Sequence, residues 1–376
     1  MRIVLDATAL LLRSAGVKTY IYELLHALRK EAAPGEIKAF PFLDDLDSLD
    51  HQRSVVGRAN SLLRLALVNL VNTKRNRLLD VLLRSGDVFH ASQHIVNPPR
   101  AKVLTATVFD MTCWLMPETH TPANVVATKL YAERTLQHAD GLIAISERSR
   151  DDAMSILKLP AERFEVIYPG VSGSYFHVQP DEVRAARDAY QLAKPYLLTL
   201  GSIEPRKNME VILDAYRMLK QSLRDDLDLV MAGPMGWRME HLHARLESEP
   251  GVRLLGYVPT PVLPGLLQGA EALVYPSLYE GFGLPVAEAM AAGVPVITSN
   301  SSCFPETTAG AAVLVDPQSA EELSAAMERL LLSSALRDQL RAAGLLRAKA
   351  FTWDRCARES LRFFRKFHPG GDVFRG

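Results

Sequence analysis

Residues 270–300, AEALVYPSLYEGFGLPVAEAMAAGVPVITSN, constrain this chain more than any other stretch. An apolar run over 272–275 stops at Pro276. Glycines and a proline crowd 280–285, a small helix-favouring run occupies 284–292, and Gly293 ends it. Residues 295–298 read as a second buried strand. The order predicts a β-α-β unit whose glycine-rich turn offers backbone N–H groups and the positive end of a helix dipole to an anion. Glu280 and Glu288 flank that turn. A carboxylate does not bind phosphate, so these two need hydroxyls. Phosphate on the backbone and hydroxyls on the carboxylates point to a sugar nucleotide. One such turn is a weak signal by itself, and Glu288 also reads as a solvated helix charge.

The rest of the chain supplies two series of such units. Strands are expected at 2–7, 88–91, 103–109, 141–145 and 164–167, then at 196–200, 227–232, 252–255, 272–275, 295–298 and 311–315. Residues 171–194 are polar, show no strand pattern and read as a linker with a short helix. The expected fold class is α/β, two Rossmann-like domains facing each other across a cleft formed at the C-terminal ends of their strands. Gly16 precedes a helix over 17–30 and reads either as a turn glycine or as a point of close approach to a ligand. Asp110 follows the 103–109 strand and reads as a site residue or a turn cap. Arg206 and Lys207 end the loop GSIEPRK (201–207), with Asn208 as the expected cap of the next helix; Ser146 is the expected cap of a helix over 148–157. Gly16 and Asp110 fall on one wall of the expected cleft, and Arg206, Lys207, Glu280 and Glu288 on the other.

Charge excludes one class of function. Lys+Arg and Asp+Glu both number 43, a balance that argues against a general nucleic-acid binder. Cys113, Cys303 and Cys356 form neither a disulfide framework nor a zinc pattern, and a reducing cytoplasm is the expected setting. No apolar run approaches the ~18 residues of a membrane span, and Asp6 makes the N-terminal run a strand rather than a signal peptide. Arg53, Arg58, Arg64, Lys74, Arg75, Arg77 and Arg84 lie among Leu62, Leu63, Leu65, Leu67, Leu70 and Val71. An ordinary helix with a solvated face is preferred there; the alternative is peripheral contact with an anionic membrane at its inner face. The Asp-x-Asp pairs Asp45/Asp47 and Asp226/Asp228 read as chance, the first in an irregular loop and the second at the wrong end of its strand.

The motifs GSIEPRKN (201–208), AGPMGW (232–237), GYV (256–258), the run 275–300 and PE (305–306) resemble the large retaining glycosyltransferase family of GT-B fold, family 4, also called glycosyl transferases group 1. GVKTY (16–20), DM…PE (110–118) and YPGV (168–171) match it more loosely. The resemblance implies an N-terminal acceptor-side domain over 1–172, joined by the segment 353–376, and a nucleotide-sugar-binding domain over 173–352. It implies that Arg206 and Lys207 clamp the diphosphate, and that backbone groups of Gly281, Phe282, Gly283 and Leu284 touch phosphate or the transferred sugar. By the same resemblance Glu288 holds the ribose, Glu280 the donor sugar, the Tyr257-Val258 turn frames the base, and Gly16 approaches the phosphates. Glu280, Asp110, Arg206 and Lys207 are its implied catalytic residues. Two positions depart from the family. Phe109 stands where many members carry His before Asp, and Ser202 stands in the donor-binding loop where many carry Arg.

The implied reaction is glycosyl transfer with retention by front-face attack, no second carboxylate being clearly placed for double displacement. No cofactor or metal is expected, because the two cations and the helix dipole would replace it. EPRKN and GFGLP resemble bacterial mannosyltransferases, so the favoured donor is GDP-mannose and the acceptor a glycan or lipid-linked glycan. A UDP-sugar donor and a catalytically silent sugar-nucleotide binder are the alternatives.

Overall fold

The computed structural model describes residues 1–14, 16–44, 46–73, 80, 86–99, 101–236 and 240–367. Asp45, Lys74, Arg75, Arg77, Arg84, Trp237 and the segment after 367 lie outside the described residues. The chain divides into two compact units, Met1–Gly170 with the segment from Thr352 onward, and Val171–Phe351.

The first unit is built on β1 (Ile3–Asp6), β2 (Ile37–Phe40), β3 (Val88–Ala91), β4 (Val103–Val108), β5 (Gly141–Ala144) and β6 (Phe164–Val166), in the order β2-β1-β3-β4-β5-β6. The second is built on β7 (Tyr196–Leu200), β8 (Asp228–Ala232), β9 (Val252–Gly256), β10 (Ala272–Tyr275), β11 (Val296–Ser299) and β12 (Val313–Val315), in the order β12-β11-β10-β7-β8-β9. All of these pairings are parallel. The central strands are buried along their length, IVLD in β1 and LVY in β10 included, as a parallel sheet covered on both faces requires.

Helices supply the covering faces. The first helix, Gly16–Glu31, buries Tyr20, Ile21, Leu24, Leu25 and Leu28, a spacing that keeps one stripe inward. The last, Trp353–Arg365, packs on it and buries Trp353, Cys356, Ala357, Leu361, Phe363 and Phe364. The Phe364 ring meets the ring of His90 edge to face at 5.0 Å. The exposed ion pair Lys30–Asp354 contributes little beside that apolar contact.

Each sheet has one place where the chain order reverses, between β1 and β3 and between β7 and β10. Loops leaving two such strands turn to opposite faces and open a crevice at their carboxyl ends, where ligands of doubly wound sheets bind.

Some local expectations are corrected. β2 has no counterpart in the sequence reading, because IKAF is too short for its alternation to stand out. The stretch read as a linker with one short helix contains two helices, Gly173–Phe176 and Pro180–Ala189, the second opened by Gln179, whose N–H donates to Glu182 Oε2 at 2.7 Å. Ser146 caps its helix as expected, its Oγ accepting from Ser149 N at 3.0 Å.

The loops after β7 and β8 run backbone against backbone. Ile203 N donates to Pro234 O and Gly236 N to Ile203 O, each at 2.9 Å. Gly233, at φ +155°, makes this possible, since a Cβ there would lie 1.9 Å from Gly201 O. We expect Gly233→Ala to lower stability by about 2 kcal/mol or more in urea denaturation, the scale of a strained backbone position. A loss under about 0.5 kcal/mol, typical of an open surface site, would mean that the loops are not held in this way.

Candidate active site

The β7–β10 crevice gathers the charged residues of the second unit. After β7 the chain makes a short 3-10 turn, Pro205–Lys207, that aims two cations at the loop following β10. Asn208 then takes left-handed backbone, φ +63°, which this residue type tolerates. Its amide donates to Pro276 O at 3.1 Å and Pro317 O at 2.5 Å. It does not cap the following helix, Met209–Met218, as the sequence suggested; its side chain is spent on fastening the turn to two neighbouring loops.

Lys207 Nζ donates to Glu280 Oε1 and to the Tyr275 hydroxyl. The Tyr275 hydroxyl in turn donates to Glu280 Oε1 at 3.1 Å. Arg206 Nη1 lies 2.7 Å from the same oxygen and donates to Tyr279 O at 2.7 Å, while Nη2 donates to Glu204 Oε1 at 2.7 Å. Ser302, after β11, holds the Glu280 backbone from both sides: its Oγ accepts from Glu280 N at 2.9 Å and donates to Glu280 O at 2.8 Å. The side chains of Lys207, Glu280 and Arg206 are only 10%, 13% and 16% exposed, so these are largely desolvated contacts.

Burial alone would raise the Glu280 pKa; the charges of Arg206 and Lys207, with their hydrogen bonds, outweigh it and hold the carboxyl down at about 2. Burial lowers the Lys207 pKa, with Glu280 opposing. Burial first, and then Glu280, pushes the Tyr275 phenol up. Counting Glu204, the cluster is charge-balanced. Arg206 and Lys207 are therefore not a bare positive patch, as a diphosphate clamp alone would suggest. Glu280 Oε2 accepts no hydrogen bond from the described residues, and Lys207 retains one ammonium N–H beyond its two bonds.

The other expected residues are placed unevenly. Gly283, φ +78°, opens the helix Leu284–Ala291; a Cβ there would sit 2.9 Å from the Phe304 ring. Gly281 is buried, and Leu284 and Glu288 are half-buried at the start and second turn of that helix. The Phe282 ring is in the core, 5.0 Å from that of Phe351, which leaves only its backbone for a ligand, and its carbonyl already accepts from Thr307 Oγ1 at 2.8 Å. Val258 is likewise a core side chain, whereas Tyr257 is half-buried beyond β9, two strands from β7. Ser202 is half-buried beside Gly201.

In the first unit, Gly16 is exposed, and a Cβ there would meet nothing within 4 Å, so nothing in that unit requires glycine. Asp110 Oδ1 accepts from Thr112 N at 2.9 Å and from Thr112 Oγ1, the turn-cap role. Phe109 is buried with its ring edge-on to Tyr20 at 5.1 Å, a core aromatic. The sequence reading missed Glu204, Tyr275 and Ser302. The first two lie inside motifs that it did recognise, where no role was given them; Ser302 carried no signal.

Two doubly wound parallel sheets in separate units, with a charged cluster at the switch point of the second, are the architecture of the GT-B fold. Sucrose-phosphate synthase from Thermosynechococcus elongatus has this fold, with a TM-score of 0.72 and 20% identity over 97% of this chain and 99% of that one. The profile described as Glycosyl transferases group 1 matches residues 184–347. O-antigen chain mannosyltransferase B of Escherichia coli is 30% identical over 366 residues, 93% of this chain and 96% of that protein. The serotype-specific mannosyltransferase WbdA of Escherichia coli is 27% identical over 237 residues, 61% of this chain but 29% of its own length. The chain belongs to the glycosyl transferases group 1 family and is a glycosyltransferase.

The Glu280 pairing has a pH signature. A folded-state pKa of about 2 against an ordinary 4.5 gives stability that is complete above about pH 4.5 and is lost as pH falls toward 2. The span corresponds to roughly 3 kcal/mol. Denaturation measured between pH 6 and pH 2 should show the wild-type chain losing about that much more than Glu280→Gln. Equal losses would mean that Glu280 is not held by the two cations.

Proposed function

We propose that this chain transfers mannose from GDP-mannose, with retention of configuration, to a hydroxyl of a glycan or lipid-linked glycan. The observation that carries this reading is the Arg206–Lys207–Glu280 cluster at the β7–β10 switch point, beside a helix opened by glycine. The mannosyltransferase names of two relatives support the choice of sugar.

In this reading the diphosphate meets the remaining Lys207 N–H, the Arg206 guanidinium and the backbone N–H groups of Gly283 and Leu284 at the start of the helix Leu284–Ala291. Glu280 Oε2 accepts from a hydroxyl of the transferred sugar, Glu288 from the ribose, and the Tyr257-Val258 turn frames the base with its backbone and the Tyr257 side chain. As the glycosidic bond breaks, negative charge grows on the leaving diphosphate, and the fixed cations stabilise it without reorganising. The leaving group takes the proton of the acceptor hydroxyl on the same face. No metal is required, because the cations supply the charge.

Lys207→Ala should lower turnover by about 30-fold or more, the scale of losing a partner from a desolvated charge pair. Arg206→Ala should do at least as much, since guanidinium grips two oxygens. Activity should survive EDTA, and GDP-mannose should raise the melting temperature more than UDP-glucose does. Full activity in the double variant at an unchanged melting temperature would sink the assignment, and a preference for UDP-glucose would move the donor.

A lipid-linked acceptor is supported by Leu62 and Leu63, 71% and 72% exposed on the helix Arg58–Thr73 near Arg53 and Arg64. No described helix is long and apolar enough to cross a membrane. The proposed setting is the cytoplasmic face, with peripheral contact to anionic lipid. The chain should pellet with anionic vesicles at low salt and release at high salt. Absence of pelleting at low salt would leave a water-soluble glycan as the acceptor.

A further inference from the structure

The buried phenols of Tyr131, Tyr196 and Tyr216 each rest on a main-chain carbonyl. Tyr131 donates to Ala91 O at 3.2 Å, Tyr216 to Leu227 O at 2.9 Å, and Tyr196 to Leu266 O. Tyr275, at the end of β10, is as deeply buried, but its hydroxyl meets two charged side chains instead. It accepts from Lys207 Nζ and donates to Glu280 Oε1 at 3.1 Å. The core sets the ring: it lies edge-on to Phe304 with centroids 6.0 Å apart, and Thr298 Oγ1 donates to the Tyr275 carbonyl at 2.8 Å. The hydroxyl therefore stands at a point fixed by strands and a helix, whereas Lys207, Arg206 and Glu280 are carried by loops.

Tyr275 decides which polar atoms of the cluster stay open to a ligand. An ammonium has three N–H groups. Lys207 uses one on Glu280 and one on Tyr275, and one remains. A carboxylate has two oxygens, and Arg206, Lys207 and Tyr275 all lie on Oε1. Long loop-borne cations can follow a carboxylate that rotates. A phenol locked between a strand and Phe304 cannot, so it holds the carboxylate in one orientation, as groups on rigid elements do. Burial first, and then Glu280, pushes the phenol pKa up, so Tyr275 keeps its proton and lends Glu280 a hydrogen bond without adding charge.

Resting on the reading in which Glu280 Oε2 accepts from a hydroxyl of the transferred sugar, we propose that Tyr275 is a positioning residue for the donor. Its hydroxyl fixes which oxygen of Glu280 faces the sugar and leaves Lys207 a single N–H for the diphosphate. It thereby sets how much of the donor's affinity comes from the sugar and how much from the nucleotide.

The test measures Kd for GDP and for GDP-mannose on the full chain by titration calorimetry. The ratio of the two is the increment due to the sugar. Tyr275→Phe keeps the ring and removes one oxygen. It should bind GDP as tightly as wild type or more tightly, because Lys207 gains an N–H, and its sugar increment should fall by about fivefold or more, one ordinary hydrogen bond's worth. Tyr216→Phe is the control, because it removes a buried hydroxyl that rests on Leu227 O in the same unit. Its sugar increment should match wild type. An increment in Tyr275→Phe equal to wild type, with GDP-mannose still preferred, would overturn the proposal and leave the proposed function standing. An equal fall in Tyr216→Phe would show general loosening of the unit and would also overturn it. A wild-type chain that takes UDP-glucose over GDP-mannose would overturn the donor assignment instead. The ratio for UDP and UDP-glucose, reduced in Tyr275→Phe, would then support the positioning role.

Discussion

The second unit depends on one buried carboxylate. Glu280 Oε1 takes Lys207, Arg206 and Tyr275, and through them the loop after β7 is tied to the loop after β10. Two charges taken out of water are stabilised only by good geometry and further hydrogen bonds, and removing one partner leaves the other uncompensated. Ser302 supplies the additional hold, on the Glu280 backbone, from a third loop. Asn208 fixes the other side of the cluster through two proline carbonyls. The crevice is thus set by polar contacts among loops, while the apolar strands and helices beneath decide only where those loops start.

That division explains what could be read in the sequence. Strands such as YLLTL and ALVY are buried on both faces and show as continuous apolar runs, so their positions were legible, whereas the strand order that sets the switch points was not. Glu280, Arg206 and Lys207 were legible because glycine and proline punctuate the turns that carry them. The partners they choose were not. Nothing local says that Asn208 adopts left-handed backbone and turns its amide away from the helix it precedes, or that Ser302, 22 residues on, reaches back to Glu280. Val258 and Phe282 show the converse: both stand inside recognised motifs, and their side chains fill the core, which leaves only their backbone to face a ligand. A motif marks a backbone path, and burial decides which of its side chains face a ligand.

The two units show one topology carrying unlike chemistry. Where β1 and β3 part, the buried groups are the Asp6 carboxyl, the Ser92 hydroxyl and the His94 imidazole; where β7 and β10 part, they are two cations and a carboxylate. The switch point determines the place of a site and is silent on its ligand.

The charge balance of the second cluster bears on how a diphosphate could be gripped without being gripped too well. A bare Arg-Lys pair would bind ground state and transition state alike, which lowers KM without raising turnover. Here both cations are already in contact with Glu280, and Glu204 takes part of Arg206. In the proposed reaction an incoming phosphate would compete with those carboxylates, so its net gain in the ground state would be small. The competition shifts as the glycosidic bond breaks, because charge accumulates on the leaving diphosphate while that on Glu280 and Glu204 stays constant. In the proposed reaction, the same pairing that ties the loops together would bias the cations toward the transition state, which is where an interaction contributes to rate.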